Sequence, residues 1–231
     1  MNTSFLSEDM CKVLQVISRL PGLGPKSAKR IVLHLMKNKD VVLENFINSL
    51  SFIKERSRCC EICGYVDEKS PCFFCSCDLR DKSALCIVAT TGDVWAIEKA
   101  GFFNGAYHVL GGLLSTFEGC YPDDLSIDML LGRIDASVKE VILALNSSID
   151  GQSTMYYIIE HIKRTAPHVR ISSLAKGMPI GSELDYIDQG TLMSAFIGRR
   201  DVDGVEYNRH HEPSIENFSG KNEKYIEIAR A

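Results

Sequence analysis

Four cysteines have the residue type and the spacing for metal chemistry: Cys60 and Cys63 form one C-x-x-C pair, and Cys72 and Cys75 form a second. Two such pairs supply four thiolates, which close a tetrahedron around Zn²⁺ and leave no position for a water molecule. A closed site of this kind stabilises structure and does not catalyse a reaction. The sequence therefore predicts one structural zinc ion per chain.

The spacing alone leaves other arrangements of the cysteines open. The four thiols could form a pair of disulfides or a redox-active dithiol. Cys59 could replace Cys60, or Cys77 could replace Cys75, but only the first set gives two matching x2 spacings. Residues 64–71 between the pairs contain turn residues and few apolar side chains, so metal binding would contribute on the order of 10 kcal/mol to folding this segment.

The first quarter of the chain is basic, although the whole chain is acidic. Residues 1–58 contain ten Lys and Arg against five Asp and Glu, whereas the 231 residues together carry a formal net charge of −4. A basic region of this kind is typical of nucleic-acid contact.

Two amphipathic helices are predicted inside the basic region, because apolar residues recur there at helical spacing. The first set is Met10, Val13, Leu14, Ile17 and Leu20, and the second is Ala28, Ile31, Val32, Leu35 and Met36.

A glycine-rich loop, Leu-Pro-Gly-Leu-Gly-Pro, joins the two predicted helices. Gly22 and Gly24 allow backbone conformations that other residues avoid, and the proline after them suits the first position of a helix. Such a helix start exposes backbone N–H groups that can bind phosphate. Lys26, Lys29 and Arg30 follow on the polar face, and the whole segment resembles a helix-hairpin-helix, a module that binds the nucleic-acid backbone without reading sequence.

An ordinary helical hairpin with solvated basic residues is the alternative for this segment. A turn that serves only packing needs neither the second glycine nor the three cations, so their coincidence favours DNA binding.

The segment after the cysteines predicts an α/β domain. Short apolar strands alternate with helices in this segment, which indicates a parallel sheet covered on both faces. The predicted strands are 84–89, 106–110, 140–145 and 169–174, and the predicted helices are 93–100, 124–133 and 153–165.

The order of these motifs resembles the RecR family of bacterial recombination mediators. The resemblance rests on LPGLGPKSAKR, the C-x-x-C-x8-C-x-x-C-S run, CIVATTGDVWAIE, YHVLGGLLS, VILALNSSIDG and KGMPIGSELDYIDQGTLMSAFIGRR. It implies a Toprim-type α/β domain and a ring-shaped homotetramer that can encircle DNA. It also implies a partner, RecO, with RecF in some bacteria, and a role in helping RecA to replace single-strand-binding protein on gapped DNA.

The fold class predicted on this basis is α+β with several domains. A helix-hairpin-helix would occupy residues 1–56, a four-cysteine zinc knuckle 57–79 and the Toprim-type domain with its parallel sheet 80–175. A C-terminal element for subunit contact would occupy 176–200, and a polar, partly disordered extension 201–231. The alternative for this extension is a docking segment for another subunit or partner.

The resemblance to Toprim domains also bears on catalysis. Catalytic members place a glutamate after the first strand and an Asp-x-Asp after a later one to hold Mg²⁺, whereas this chain has Ala89, Asn146 and Ser148 at those positions. Asp150 alone is a poor magnesium site. We therefore expect a scaffold without catalysis, whose acidic surface near Asp123 would contact RecO. The alternatives are a Toprim-type nuclease or primase-like enzyme and a zinc-stabilised interaction module with no role on DNA.

A cytoplasmic, nucleoid-associated location is expected, without membrane contact. The chain starts with acidic residues where a signal peptide would be basic and then apolar. No apolar run reaches the roughly 18 residues that a membrane span needs. Nine cysteines, an odd number, fit a reducing compartment.

Overall fold

The computed structural model describes residues 6–199, and the predicted extension 201–231 lies outside the described residues. The chain divides into two units, Met1–Leu174 and Ala175–Ala231. Between residues 6 and 199, no helix is long and apolar enough to cross a membrane.

Three helices form the amino-terminal part of the first unit. The predicted hairpin is present as α1 (Glu8–Ser18) and α2 (Pro25–Lys37). A π-helical turn, Lys39–Leu43, leads into α3 (Glu44–Arg56), which the apolar pattern of the sequence did not single out.

The cysteine-rich segment contains little regular structure. A two-residue strand β1 (Arg58–Cys59) pairs antiparallel with β2 (Val66–Asp67), and a single turn of helix, α4 (Phe73–Ser76), follows. Elements this short bury few apolar side chains, so other interactions must hold the segment together.

A four-stranded parallel sheet forms the centre of the α/β domain. Its strands are β3 (Asp81–Val88), β4 (Gly105–Val109), β5 (Glu140–Leu143) and β6 (Arg170–Ser173), in the spatial order β4-β3-β5-β6. All three pairings are parallel, as predicted from the sequence.

Both faces of the sheet are covered, because successive residues of β3 point to opposite faces. Leu85 and Ile87 belong to one buried cluster, and Cys86 and Val88 belong to another. The covering helices are α5 (Thr91–Ala100), α6 (Ile127–Arg133) and α7 (Ile149–Thr165).

Three helix starts differ from the sequence prediction, and the first is α5, which begins at Thr91, two residues before the predicted Asp93. Residues 122–124 form a 3₁₀ turn, and α6 begins only at Ile127, because the Asp124 carboxylate accepts from the Tyr121 N–H and closes the turn early. By contrast α7 begins at Ile149, four residues before the predicted Ser153, because Ser148 caps its amino end.

In residues 175–199, the described part of the second unit, the chain forms a 3₁₀ turn, Leu184–Tyr186, and the helix α8 (Gln189–Ile197). Asp188 caps this helix, since its carboxylate accepts from the Thr191 N–H at 3.0 Å. None of the residues 175–199 is buried.

Candidate nucleic-acid interface and zinc site

The loop between α1 and α2 presents an open helix start. Gly22 has φ of +75°, a conformation that favours glycine. A Cβ atom added at Gly22 or Gly24 would have no neighbour within 4 Å, so the space beside the loop is free. No side chain caps α2 at Gly24. The backbone N–H groups of the first turn therefore remain available to a ligand.

Three cations lie on the solvent side of this helix start. Lys26, Lys29 and Arg30 are all exposed, whereas Ala28 and Val32 on the opposite face are buried. The structure thus places the predicted cations and the glycine loop on one end of α2. Contact of these residues with DNA stays a prediction.

The four predicted zinc ligands are brought together, with their sulfur atoms all within 4.8 Å of one another. The Sγ atoms of Cys60 and Cys75 lie 3.9 Å apart, and those of Cys63 and Cys72 lie 3.5 Å apart. Zn–S bonds of about 2.3 Å in a tetrahedron would place sulfur atoms about 3.8 Å apart. The donor set therefore fits a zinc ion.

The two neighbouring cysteines are not part of this cluster. Cys59 is exposed in β1, and Cys77 follows directly after α4. In the part of the chain that the structure describes, the four clustered cysteines are the only group of three or more side chains placed to hold a metal ion.

Hydrogen bonds between the clustered cysteines shift the pKa values of their thiols in opposite directions. The thiols of Cys63 and Cys75 bond to the sulfur of Cys72 and lower the pKa of Cys72. The bond to Cys72, together with burial, raises the pKa of Cys63. The backbone N–H of Cys72 also donates to the Cys60 sulfur at 3.4 Å. Such N–H···S bonds stabilise the thiolate form that binds zinc.

The cysteine-rich segment is attached to the end of β4 through its backbone. The Val109 N–H donates to the Cys63 carbonyl at 2.7 Å. Gly64 has φ of +73°, and a Cβ atom added there would collide with the Val109 carbonyl oxygen. Only glycine allows both this conformation and this close approach.

A charged side chain extends the attachment into the sheet. The Arg80 guanidinium lies 4.7 Å from the ring centre of Phe74 in α4 and donates to Glu98 of α5 at 2.6 Å. The Tyr107 hydroxyl donates to the second Glu98 oxygen at 2.6 Å. Burial raises the pKa of Glu98, but these two hydrogen bonds outweigh it and hold that pKa below its usual range.

Sequence reasoning missed this network. Arg80 and Glu98 are 18 residues apart, Arg80 belongs to no motif, and Glu98 ends the CIVATTGDVWAIE run without a role predicted for it. The available signal was the position of Phe74 inside the second C-x-x-C pair, where an aromatic side chain must pack against something outside the short segment.

The sheet edge at which Toprim enzymes place carboxylates is apolar and amide-lined in this chain. The neighbouring strands β3 and β5 end there, followed by the buried Ala89 and by Asn146. Ser148 is occupied as the cap of α7, since its hydroxyl accepts from the Gly151 N–H at 3.2 Å.

Asp93, the first acidic residue after β3 in the sequence, caps a helix. The Asp93 carboxylate accepts from the backbone N–H of Thr90 at 2.7 Å and from its hydroxyl at 2.9 Å, which caps α5. A carboxylate engaged in this way has less capacity to bind a metal ion.

Comparison with known proteins gives one consistent result. The RecR helix-hairpin-helix model matches residues 12–52, the Toprim domain model 83–175, and the RecR C-terminal model 177–200. These ranges leave the domain boundaries drawn from the sequence as predictions.

Several recombination proteins named RecR are similar to this chain over almost their whole length. That of Neorickettsia sennetsu is 46% identical over 82% of this chain and 96% of its own. That of Parvibaculum lavamentivorans is 45% identical over 82% and 94%, and that of Rhizorhabdus wittichii 43% over 85% and 98%.

The fold and the site define a class of protein in which a helix-hairpin-helix, a four-cysteine cluster and a Toprim domain follow one another in a single chain. Together with the similarity to the relatives, this order establishes the family. The chain belongs to the RecR family of recombination proteins.

Proposed function

We propose that this protein is a DNA-binding recombination mediator without catalytic activity. It recruits RecO, with RecF in some bacteria, and helps to load RecA on gapped or single-stranded DNA in the cytoplasm. The observation that carries the proposal is the open glycine loop before the uncapped start of α2, with Lys26, Lys29 and Arg30 exposed beside it.

The DNA contact follows from the chemistry of that helix start. Phosphate oxygens accept from free backbone N–H groups, and the partial positive charge of a helix amino end favours the anion. Lys26 and Arg30 add charge next to the Gly22 and Gly24 loop. These groups contact the backbone of DNA and no base, so binding is independent of sequence and sensitive to salt.

Several copies are needed for firm binding, because one hairpin makes few phosphate contacts. The exposed apolar side chains on the amino-terminal helices support a homotetramer. In α3 Phe46, Leu50 and Ile53 recur at helical spacing and are 43%, 49% and 56% exposed. An apolar stripe of this kind is stabilised when another surface covers it. Four hairpins around one duplex then act together through effective concentration.

The C-terminal element has the same property. The helix α8 has no buried residue, and Phe196 and Ile197 are 65% and 68% exposed. A second copy that covers these side chains would give the element the core that it lacks, which supports a role in subunit contact.

Zinc has a structural role in this proposal. Cys60, Cys63, Cys72 and Cys75 hold one Zn²⁺ per chain, and the ion supplies the stability that the short strands and α4 lack. The closed segment is fixed to β4 through Gly64 and lies between the amino-terminal helices and the sheet along the chain.

The absence of carboxylates at Ala89, Asn146 and Ser148 supports the non-catalytic interpretation. Magnesium requires oxygen ligands, usually carboxylates, and the side chains at this edge do not offer them. The acidic surface near Asp123 and Asp124 is the proposed contact with RecO, which it would attract through opposite charge.

The DNA contact is tested by the double variant Lys26→Ala/Arg30→Ala. We expect weaker binding to all duplex sequences alike, and a slope of log affinity against log salt that falls by roughly 0.9 for each phosphate that the variant no longer neutralises. Both side chains are exposed, so circular dichroism stays unchanged. Fluorescence anisotropy at several salt concentrations measures affinity and slope together.

The matched control is Lys99→Ala/Lys163→Ala, which removes two exposed cations from α5 and α7 and is expected to retain affinity. Equal affinity and slope for Lys26→Ala/Arg30→Ala and wild type would show that the hairpin is only structural. Nicking of supercoiled plasmid with Mg²⁺ that disappears in Asp150→Ala would contradict the non-catalytic assignment.

A further inference from the structure

A tight turn in the α/β domain exposes an aromatic side chain almost completely. Ser115 and Cys120 pair through two backbone hydrogen bonds, of 3.1 and 2.9 Å, and enclose the residues between them. Phe117 lies between the paired residues and is 98% exposed, and Tyr121, directly after Cys120, is 58% exposed. Residues 115–121 are here called the Phe117 turn.

The base of this turn is held firmly. The backbone N–H of Leu114, directly before it, donates to the hydroxyl of the buried Thr154 in α7 at 2.8 Å. Cys120 packs against the main apolar cluster, and the Glu118 N–H donates to the Ser115 hydroxyl at 3.3 Å. An exposed phenylalanine on a fixed base loses little conformational entropy when a partner covers it.

The stretch of sequence that contains the turn carries one sign of charge. Residues 100–132 include four acidic side chains, Glu118, Asp123, Asp124 and Asp128, and no Lys or Arg. Burial raises the pKa of Cys120, and the negative charges of Asp124 and Glu118 also raise it. These two carboxylates therefore lie close to the base of the turn.

We propose that Phe117 is the anchor through which a partner protein, with an apolar pocket rimmed by Lys and Arg, docks on this domain. The inference deepens the proposed recruitment of RecO and rests on it. A buried aromatic residue inside a charged rim is a common arrangement of binding hot spots. DNA is a poorer occupant, because its phosphates would be repelled by the four carboxylates.

The test uses the full-length protein and purified RecO from the same organism, with binding measured by calorimetry. Phe117→Ala is expected to weaken RecO binding at least about tenfold, as for a hot-spot residue, and to leave DNA affinity and solution mass unchanged. The matched control is Phe102→Ala, which removes an equally large side chain that is 76% exposed in the same domain. It is expected to change RecO binding less than about twofold.

A charge variant distinguishes the contribution of the acidic residues from that of the aromatic anchor. Glu118→Lys/Asp123→Lys keeps Phe117 and is expected to slow association and to reduce its salt dependence, since rim charges act mainly on the association rate.

The remaining outcomes are distinguishable. If wild type does not bind RecO, the proposed recruitment fails, and this inference fails with it. If wild type binds RecO and Phe117→Ala binds equally well, only the inference is overturned. A drop in DNA affinity in Phe117→Ala with RecO binding intact would identify a DNA contact. A smaller solution mass with RecO binding intact would identify a contact between copies, and either result overturns the inference.

Discussion

A histidine at the centre of the α/β domain shows how burial sets the charge of a single residue. His108 has no exposed surface. Its Nε2 lies 2.9 Å from the Ser126 carbonyl oxygen, and its Nδ1 lies 3.2 Å from the Arg133 guanidinium. Arginine can only donate, so Nδ1 accepts and Nε2 carries the proton of a neutral ring. Burial and the charge of Arg133 together lower the pKa of His108 to about 4, although the hydrogen bond to Ser126 opposes them.

This histidine predicts a pH dependence of stability. The folded state keeps His108 neutral, whereas the unfolded chain takes up a proton near pH 6.5. The contribution of the neutral His108 to the free energy of unfolding is therefore fully present above about pH 6.5. It decreases as the pH falls toward about 4, by on the order of 3 kcal/mol. Urea unfolding at pH 7.5, 6.5, 5.5 and 5.0 measures the slope.

His108→Gln is expected to have a shallower slope in the same range, whatever its stability at neutral pH. The control is His168→Gln, which changes an exposed histidine and keeps the wild-type slope. Comparison at equal pH cancels the contribution of the carboxylates and of zinc release. An unchanged slope in His108→Gln would mean that another group is responsible.

At the scale of elements, the sequence predicted the parts that depend on local pattern. The helical hairpin, the cysteine cluster and the order of α/β elements follow from periodicity and spacing, and all are present. The start of α7 was missed because its first turn, with Asp150 and Gly151, has no apolar period, although Ser148 is a good cap.

The attachment of the cysteine-rich segment to the sheet could not be predicted in the same way. It depends on Arg80, Phe74 and Glu98, which meet only after β3 and α5 have packed. The exposed Phe117 was missed for the opposite reason, since an apolar residue in a sequence is ordinarily assigned to a core. Contacts between distant residues and the exposure of a single turn are properties of the packed structure.

The cysteine cluster gives a prediction for the element that it holds. The purified protein is expected to contain one zinc ion per chain, and Cys63→Ser, which removes a buried ligand, is expected to lose it. Because bound metal supplies folding free energy, the melting temperature should fall by more than about 5 °C, which corresponds to a loss of about 2 kcal/mol. Elemental analysis and thermal melting measure the two effects.

Cys59→Ser is the matched control, because it changes an exposed cysteine next to the cluster and leaves all four clustered sulfur atoms in place. It is expected to keep zinc and stability. A folded wild-type preparation without stoichiometric zinc would refute the assignment, and zinc loss in Cys59→Ser would show that the ligand set is different.

At the scale of the whole molecule, weak contacts act together only if the copies are joined. In the proposed interface each helix start offers a few N–H groups and three cations, which alone would give only a modest affinity for DNA at physiological salt. The chain as a whole carries a net charge of −4, so long-range attraction does not compensate. In the proposed tetramer, joining four hairpins would raise the affinity through effective concentration.

This coupling is tested by a charge in the apolar stripe of α3. Leu50→Glu is expected to change the solution mass from four chains to two or one, because a carboxylate at a covered apolar position loses its hydration. DNA affinity should fall at least about tenfold, although Lys26, Lys29 and Arg30 are unchanged. Light scattering with and without duplex DNA gives the mass, and anisotropy gives the affinity.

Ile149→Glu is the control, since it introduces the same charge at a side chain of the α/β domain that is 75% exposed. The first turn of α7 also tolerates a carboxylate, because the helix amino end carries partial positive charge. This variant is expected to keep both mass and affinity. If wild type stays a single chain on DNA, or if Leu50→Glu keeps the four-chain mass, the stripe is not the contact that joins the copies, and the gain in affinity must have another source.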